Sequence, residues 1–376
     1  MKVDIELSDD QQLFRHTTAR FIEARCPMGT VRTLTEDPQV RDPGMRRDAA
    51  ELGWFALFAP EELGGGSVSG APMRDAVIVA EERGRNVQPR PFVDTNVVSF
   101  ALAEAGRRRQ REAWLPRLAS GEVAAAWAIT DRSGAPVAGA LRARRTDTGL
   151  ELSGTAGLVP EGNTAGLFLA SALCDSGEVV HCLVPADAAD VEVTRLTSLD
   201  LTREFVDVSF NDVHVPYDET LASSDDPSLL LDRLIDIAAT LSVAESVGTM
   251  SRLLEITVAY AKDRTAFGRP IGSFQAMKHL LADASFSVEV TAAGATAAAH
   301  AVSDRSPAAS EIVSIAKAYA GDAGVAVAQA CQQTHGGIGF TWEHDLHFYL
   351  RRLAVDRVLY GDPSWHRERI CRIHRL

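Results

Sequence analysis

The apolar pattern of this chain changes period twice, and that change limits what it can fold into more than any single motif does. Through the first third, Leu13, Phe14, Thr17, Phe21 and Ile22 recur at helical spacing behind an N-cap and acidic first turn at Ser8-Asp9-Asp10. Pro27 and Gly29 read as the stop of that helix. Further helices are expected over 45–52, 71–82, 94–105 and 107–119, separated by breaks such as Glu61-Glu62-Leu63-Gly64-Gly65-Gly66. From about Ala124 to Val215 the period becomes two, with alternation in Val206-Asp207-Val208-Ser209-Phe210 and again in Val213-His214-Val215. Strands are also expected at 150–153, 167–173 and 179–184. Strands with no helices between them argue for a compact antiparallel barrel over a βαβ unit, and no GxGxxG or Walker A motif argues otherwise. After Pro227 the helical stripes return, for example Leu234, Ile237, Leu241, Ala244 and Gly248, then Phe274, Met277, Leu281, Ala284 and Val288. The expected fold is α+β, mainly α: an N-terminal helical domain (1–121), a middle antiparallel β-barrel (122–226) and a C-terminal four-helix bundle (227–376).

Charge narrows the function classes. The 38 Lys and Arg against 51 Asp and Glu give a net of -13, which argues against nucleic acid or an anionic membrane as partner of the whole molecule. Met1 to Asp10 lacks an apolar signal-like core, and Val290 to Ser303, a stretch free of Asp, Glu, Lys and Arg, is too short and too rich in Thr and Ser to span a bilayer, so a cytoplasmic location is expected. Five cysteines with no CxxC pair predict neither a zinc site nor a disulfide framework. His344 and His347 stand three apart on an expected helix but have no HExxH and no third ligand, so no metal is expected. The Arg107 to Arg111 run reads as a solvated helix face, whereas Arg351 and Arg352 suit either a phosphate or an acid across an interface.

Three stretches carry a family resemblance. Arg264-Thr265-Ala266-Phe267-Gly268-Arg269-Pro270-Ile271-Gly272-Ser273-Phe274-Gln275 resembles the RxxFGxxIxxFQ signature of the acyl-CoA dehydrogenases. Gln333-Thr334-His335-Gly336-Gly337-Ile338-Gly339-Phe340 is similar to their QxxGGxGF turn, and Ser198 to Pro216 to their barrel-closing strands. The resemblance implies a flavoenzyme acting on an acyl-CoA thioester: a carboxylate takes the α proton and a hydride passes from the β carbon to FAD. It also implies that FAD lies across a subunit interface and that an electron-transferring flavoprotein accepts the electrons.

The half of the site that relatives lend to a neighbour's FAD is present here, in Arg264, Phe267, Gln275, Gln333, Gly336 and Gly337. An arginine can fork onto pyrophosphate oxygens, and a glycine pair lets backbone amides come close. The half that would hold the chain's own flavin is eroded. Thr130 survives from a TEP-x-A-G-S-D-like loop, but Pro160 stands where relatives place a hydroxyl, and proline brings neither hydroxyl nor N–H. Both family positions for the base are vacant: Gly361 in Tyr360-Gly361-Asp362-Pro363, and Ala238 on the first bundle helix, with Ala239 beside it in place of the family arginine and Asp236 keeping a matching acid. Asp362 and Glu245 are the candidate substitutes, each weighed against a structural reading as turn cap and as ion pair. His335, beside the glycine pair, is a candidate for touching a partner's cofactor. The leading expectation is the base-lacking partner subunit of an α2β2 enzyme, similar to the heteromeric pairs of steroid side-chain breakdown. The alternatives are a self-sufficient homo-oligomer using Asp362 or Glu245, and a flavin-free scaffold or acyl-CoA-binding subunit.

Overall fold

The computed structural model describes residues 7–36, 43–89, 91–222 and 227–376. The start before Leu7 and the expected boundary after residue 226 lie outside the described residues. Helices come first: α1 (Asp9–Arg25), α2 (Met28–Glu36), α3 (Pro43–Glu51), α4 (Pro72–Arg85), α5 (Val93–Ala105) and α6 (Arg108–Ala119). Ser8 starts α1 through a capping box, its Oγ accepting from the Gln11 N–H and its own N–H donating to Gln11 Oε1, both at 3.2 Å. Pro27 does end α1, but the chain turns helical again at once, so Gly29 lies inside α2 and is not part of the stop. Edge-on ring contacts of Trp54 with Phe21 and Phe92, at 5.4 and 6.3 Å, help fix how these helices meet.

The middle segment holds β1 (Ala125–Ala128), β2 (Leu141–Arg145), β3 (Gly149–Pro160), β4 (Leu167–Cys174), β5 (Val179–Pro185), β6 (Val191–Leu196) and β7 (Phe205–Pro216). They form one sheet in the order β1-β4-β2-β3-β7-β6, with β5 on β4. The expectation of a wholly antiparallel barrel needs correction, because β4 pairs in parallel with both β1 and β2. Alternation marks which residues face inward, and it carries no information on strand direction. One face of the sheet encloses its own core, including Leu150, Leu152, Phe168, Val208, Phe210 and Val213. The two alternating runs of β7 are joined by an irregularity opposite Leu152 and Gly154, where Asp212 takes φ 57°. That extra residue switches the phase so that Val206–Phe210 and Val213–Val215 both point inward.

The last part is built on α7 (Pro227–Asp263), α8 (Gln275–Ser303) and α9 (Ala309–His335), with the short hairpin β8 (Thr265–Ala266) and β9 (Arg269–Pro270) between α7 and α8. The fourth helix is two pieces, α10 (Leu346–Asp356) and α11 (Pro363–His374), broken at a turn where Tyr360 and Gly361 take φ of 60° and 100°. Helix α7 is buried on every side from 234 to 250, which identifies it as the central element. It touches α4 backbone to backbone: a Cβ on Gly248 would lie 1.8 Å from the Glu81 carbonyl oxygen, and one on Gly84 2.0 Å from that of Glu245. No described helix is long and apolar enough to cross a membrane.

Candidate functional site

The expected site residues fall into two groups at different places. The first group lies at one end of the bundle. Strands β8 and β9 are joined by a two-residue turn, Phe267-Gly268, with φ of 53° and 77°. Such a turn wants two residues with positive φ, and a phenylalanine adopts that conformation at a cost. Phe267 gains no core packing in return, being 96% exposed. Arg264 and Gln275 flank it and are exposed. Beside them α9 ends in a 3-10 turn (Gly336–Phe340), where Gly336 takes φ 61° and Gln333 and Gly337 are exposed. The two segments are held together by Tyr260, whose ring stacks on His335 at 4.3 Å. All six residues assigned to a neighbour's cofactor thus border one surface, which also exposes Ile338, Phe340 and Trp342. Solvent-facing apolar and aromatic side chains in one place mark an interaction surface.

The second group surrounds the cleft between β3, α5, α7 and the α10–α11 turn, and this cleft is filled. Arg352, fully buried, reaches Asp200 Oδ2 and Glu245 Oε1, each at 2.6 Å, and donates to the carbonyls of Val87 and Gln88 at 3.2 Å. Arg203 bridges Glu245 and Asp356, the latter at 2.6 Å. Burial pushes the Glu245 carboxyl upward, but Arg203, Arg352 and Arg83 outweigh it and hold it below the usual range. Asp356, where burial prevails over Arg203, is pushed up to about 6. Asp94 likewise rises to about 6 through burial, opposed by hydrogen bonds from the Tyr360 hydroxyl and the Trp127 N–H. What remains between Pro160, Glu245, Arg203 and Tyr360 is a cavity of about 30 Å³. That holds no more than about two water molecules.

The remaining sequence candidates are placed as follows. Thr130 is buried and its hydroxyl donates to the Gly157 carbonyl of its own chain. Ala238 lies in the core. Gly361 is buried in a conformation that L residues rarely adopt, and a Cβ there would lie 2.7 Å from Trp365 Cε3 and 2.9 Å from His366 Nε2. Asp362 is the N-cap of α11, accepting from the Trp365 N–H at 2.7 Å, which is the structural reading of that residue. Asp236 pairs with Arg369 at 2.6 Å. Arg352 meets Asp200 and Glu245 inside its own chain, so the expectation of a phosphate or a cross-interface acid does not hold for it. His344 precedes α10 and only His347 is on it, which undoes the expected one-helix spacing. Among the described residues no group of three or more His, Cys, Asp or Glu is placed to hold a metal ion. Arg203, Asp356, Asp94 and the buried Lys317, which donates to the Asp356 carbonyl at 2.6 Å, escaped the sequence reading. Each is a lone polar residue with no motif around it, and Asp200, though quoted within a motif, gave no sign of its partner.

Comparison with known proteins bears on the family and the fold. Residues 232–373 match the model of the acyl-CoA dehydrogenase C-terminal domain, and residues 8–122 that of the N-terminal domain. The chain is 32% identical to acyl-CoA dehydrogenase IpdE2 of Mycolicibacterium smegmatis over 98% of both chains. It is similar to a chain of the crystal structure of the ChsE4-ChsE5 complex from Mycobacterium tuberculosis, with 27% identity, TM-score 0.90 and 99% of each chain covered. It is also similar to a variant of the Tcur3481-Tcur3483 steroid enzyme, with 26% identity, TM-score 0.87 and 98% of each chain covered.

Proposed function

Because the chain belongs to the acyl-CoA dehydrogenase family, we propose that it is the base-lacking subunit of a heteromeric, FAD-dependent enzyme that desaturates an acyl-CoA thioester. The observation that carries this reading is the filled cleft. A subunit with its own cleft closed by Glu245, Arg203 and Arg352 has no room for flavin and thioester, yet it keeps an exposed surface carrying Arg264, Phe267, Gln275, Gln333, Gly336 and Gly337. In this reading that surface completes the FAD site of a homologous subunit. Arg264 pairs with the pyrophosphate, Phe267 gives a flat apolar contact, and the amides around Gly336 and Gly337 approach the cofactor without a Cβ in the way. FAD, when bound there, supplies the hydride acceptor; the homologous subunit supplies the base. Likeness to a chain of the ChsE4-ChsE5 complex supports a heteromer. The steroid-type relatives support a large, apolar acyl group as substrate, and an electron-transferring flavoprotein as acceptor follows the family. Neither Asp362, spent on a helix cap, nor Glu245, locked between two arginines, favours the self-sufficient reading.

The test is the FAD content and dehydrogenase turnover of the chain alone, and of its mixture with a catalytic homologue. The chain alone is expected to be flavin-free and inactive, and the mixture to hold FAD and turn over. Stoichiometric flavin or robust turnover by the chain alone would sink the proposal, and a mixture that gains no flavin would leave a scaffold.

A further inference from the structure

Under the surface at the end of α9 lies a stack of histidines that the proposed function leaves unused. His335, the last residue of α9, is 4% exposed. Its Nδ1 lies 2.9 Å from the Cys331 carbonyl oxygen, so Nδ1 carries the proton in the neutral ring and Nε2 keeps a lone pair. That Nε2 is buried and has no hydrogen-bond partner among the described residues. One face of the ring stacks on Tyr260, and the His344 ring meets it edge-on at 4.9 Å. His344 Nδ1 accepts from the Leu346 N–H at 3.2 Å. At the other end of the turn, His347 stacks on Trp342 at 4.5 Å and lies 4.0 Å from the Phe348 ring. The exposed turn from Gly336 to Trp342 is thus pinned at both ends by imidazoles.

The charged groups around the stack leave little to accept a proton. From α2, Arg32 pairs with Asp345 at 2.6 Å, donates to the Trp342 carbonyl at 2.8 Å and lies over the Phe348 ring at 5.3 Å. From α10, Arg351 lies over Trp342 at 5.6 Å. From α7 the Tyr260 hydroxyl lies 3.5 Å from the His335 carbonyl, and the exposed Glu343 carboxylate is held by the Thr341 side chain and Arg32. Asp345 is therefore already engaged by an arginine, and two cations stand close to the rings.

We propose that this histidine stack is a proton-sensitive latch beneath the 336–342 turn, and that acidification opens the turn and releases the FAD-carrying homologous subunit docked on it. The choice of partner rests on the function proposed above; the latch does not. Neutral, His335 needs only the Cys331 carbonyl that it already has, and His347 keeps its ring on Trp342. Protonation gives His335 an Nε2–H with no acceptor and puts a positive charge on His347 beside Arg351 and Arg32. Burial first, with His344 adding to it, lowers the pKa of His335, and burial with Arg351 lowers that of His347. With folded values below the ordinary 6.5, the closed latch is at full strength above that pH and is lost as pH falls through the region beneath it.

Hydrogen exchange of residues 336–342 in the chain alone, corrected for intrinsic rates, tests the latch. Between about pH 7.5 and about pH 5.5, exchange is expected to rise roughly fivefold or more in the wild type and to stay flat in His335→Gln/His347→Phe, which keeps a donor to Cys331 and a ring on Trp342. Equal protection in the wild type at both pH values overturns the proposal. If the double variant does not fold, the single His347→Phe, read by exchange of the same residues, is expected to show a reduced pH response, and an undiminished one overturns the role of His347. The affinity of an FAD-loaded homologue, measured by calorimetry at the two pH values, is expected to weaken by roughly fivefold or more at the lower one. Equal affinity despite an opened turn overturns the turn as docking face. No association even at the higher pH removes the subunit reading and leaves the latch to the exchange result.

Discussion

At the level of single residues, three substitutions probe the vacant base position and the two carboxylates near it. Restoring a carboxylate with Gly361→Glu fails on geometry, because the backbone there has φ 100° and any Cβ collides with Trp365. The expected outcome is a loss of about 2–4 kcal/mol in urea unfolding and no dehydrogenation by the chain alone. Recovered turnover would show that the vacancy is a simple deletion and that the cleft opens easily. Glu245→Ala removes the shared partner of Arg203 and Arg352, which keep Asp356 and Asp200, so each buried guanidinium loses one charge-assisted hydrogen bond worth about 1.5–3 kcal/mol. A Glu245→Ala protein as stable as the wild type would mean that the cleft is held shut by something else. Asp362→Asn, by contrast, keeps a good N-cap and is expected to leave stability unchanged within about 0.5 kcal/mol.

At the level of elements, close backbone approach and one buried histidine set the stability of the bundle. Gly248→Ala drives a methyl into the Glu81 carbonyl and is expected to destabilise by more than about 2 kcal/mol, read as a lowered urea midpoint. His366 lies in α11, its Nδ1 3.3 Å from Ser314 Oγ and its Nε2 3.1 Å from the Tyr360 carbonyl. Burial, with Lys317 adding, pulls its pKa from 6.5 to about 2. The unfolded chain therefore binds one more proton than the folded chain below pH 6.5, and stability falls as pH drops. His366→Asn removes that dependence, so the wild-type slope exceeds the variant's by about 1.4 kcal/mol per pH unit from about one unit below 6.5, where the unfolded histidine is fully protonated. Equal slopes would show that His366 titrates in the folded protein. The elements themselves were legible where a local signal sufficed: Ser8 and the alternation of β7 mark their own structure. Strand β1 was not, since Ala-Ala-Trp-Ala has no polar partner to alternate with. The break between α10 and α11 was legible as a turn at Gly361-Asp362-Pro363, but the positive φ of Tyr360 within it was not, since its residue type does not announce it.

At the level of the whole molecule, the two halves of the site differ in how far sequence can reveal them. The lending surface is made of two contiguous segments, 264–275 and 333–342, so its motifs could be read directly. The filled cleft joins Asp200, Arg203, Glu245, Arg352 and Asp356, brought together by chain segments that only the tertiary fold sets side by side. The vacant base positions could be seen in the sequence, but the charge network occupying the cleft could not. That asymmetry gives a test in which folding and function part company. Arg264 is exposed at the hairpin, so Arg264→Ala is expected to change stability by no more than about 0.5 kcal/mol. If the guanidinium grips the pyrophosphate of a cofactor seated on another subunit, its loss removes a charge-assisted hydrogen bond worth about 1.5–3 kcal/mol. Retention of FAD by the mixed complex should then weaken by roughly ten- to a hundredfold, with unchanged association of the two chains. Equilibrium dialysis of FAD against wild-type and Arg264→Ala complexes measures this, and equal retention would remove Arg264 from the flavin site while leaving the filled cleft in place.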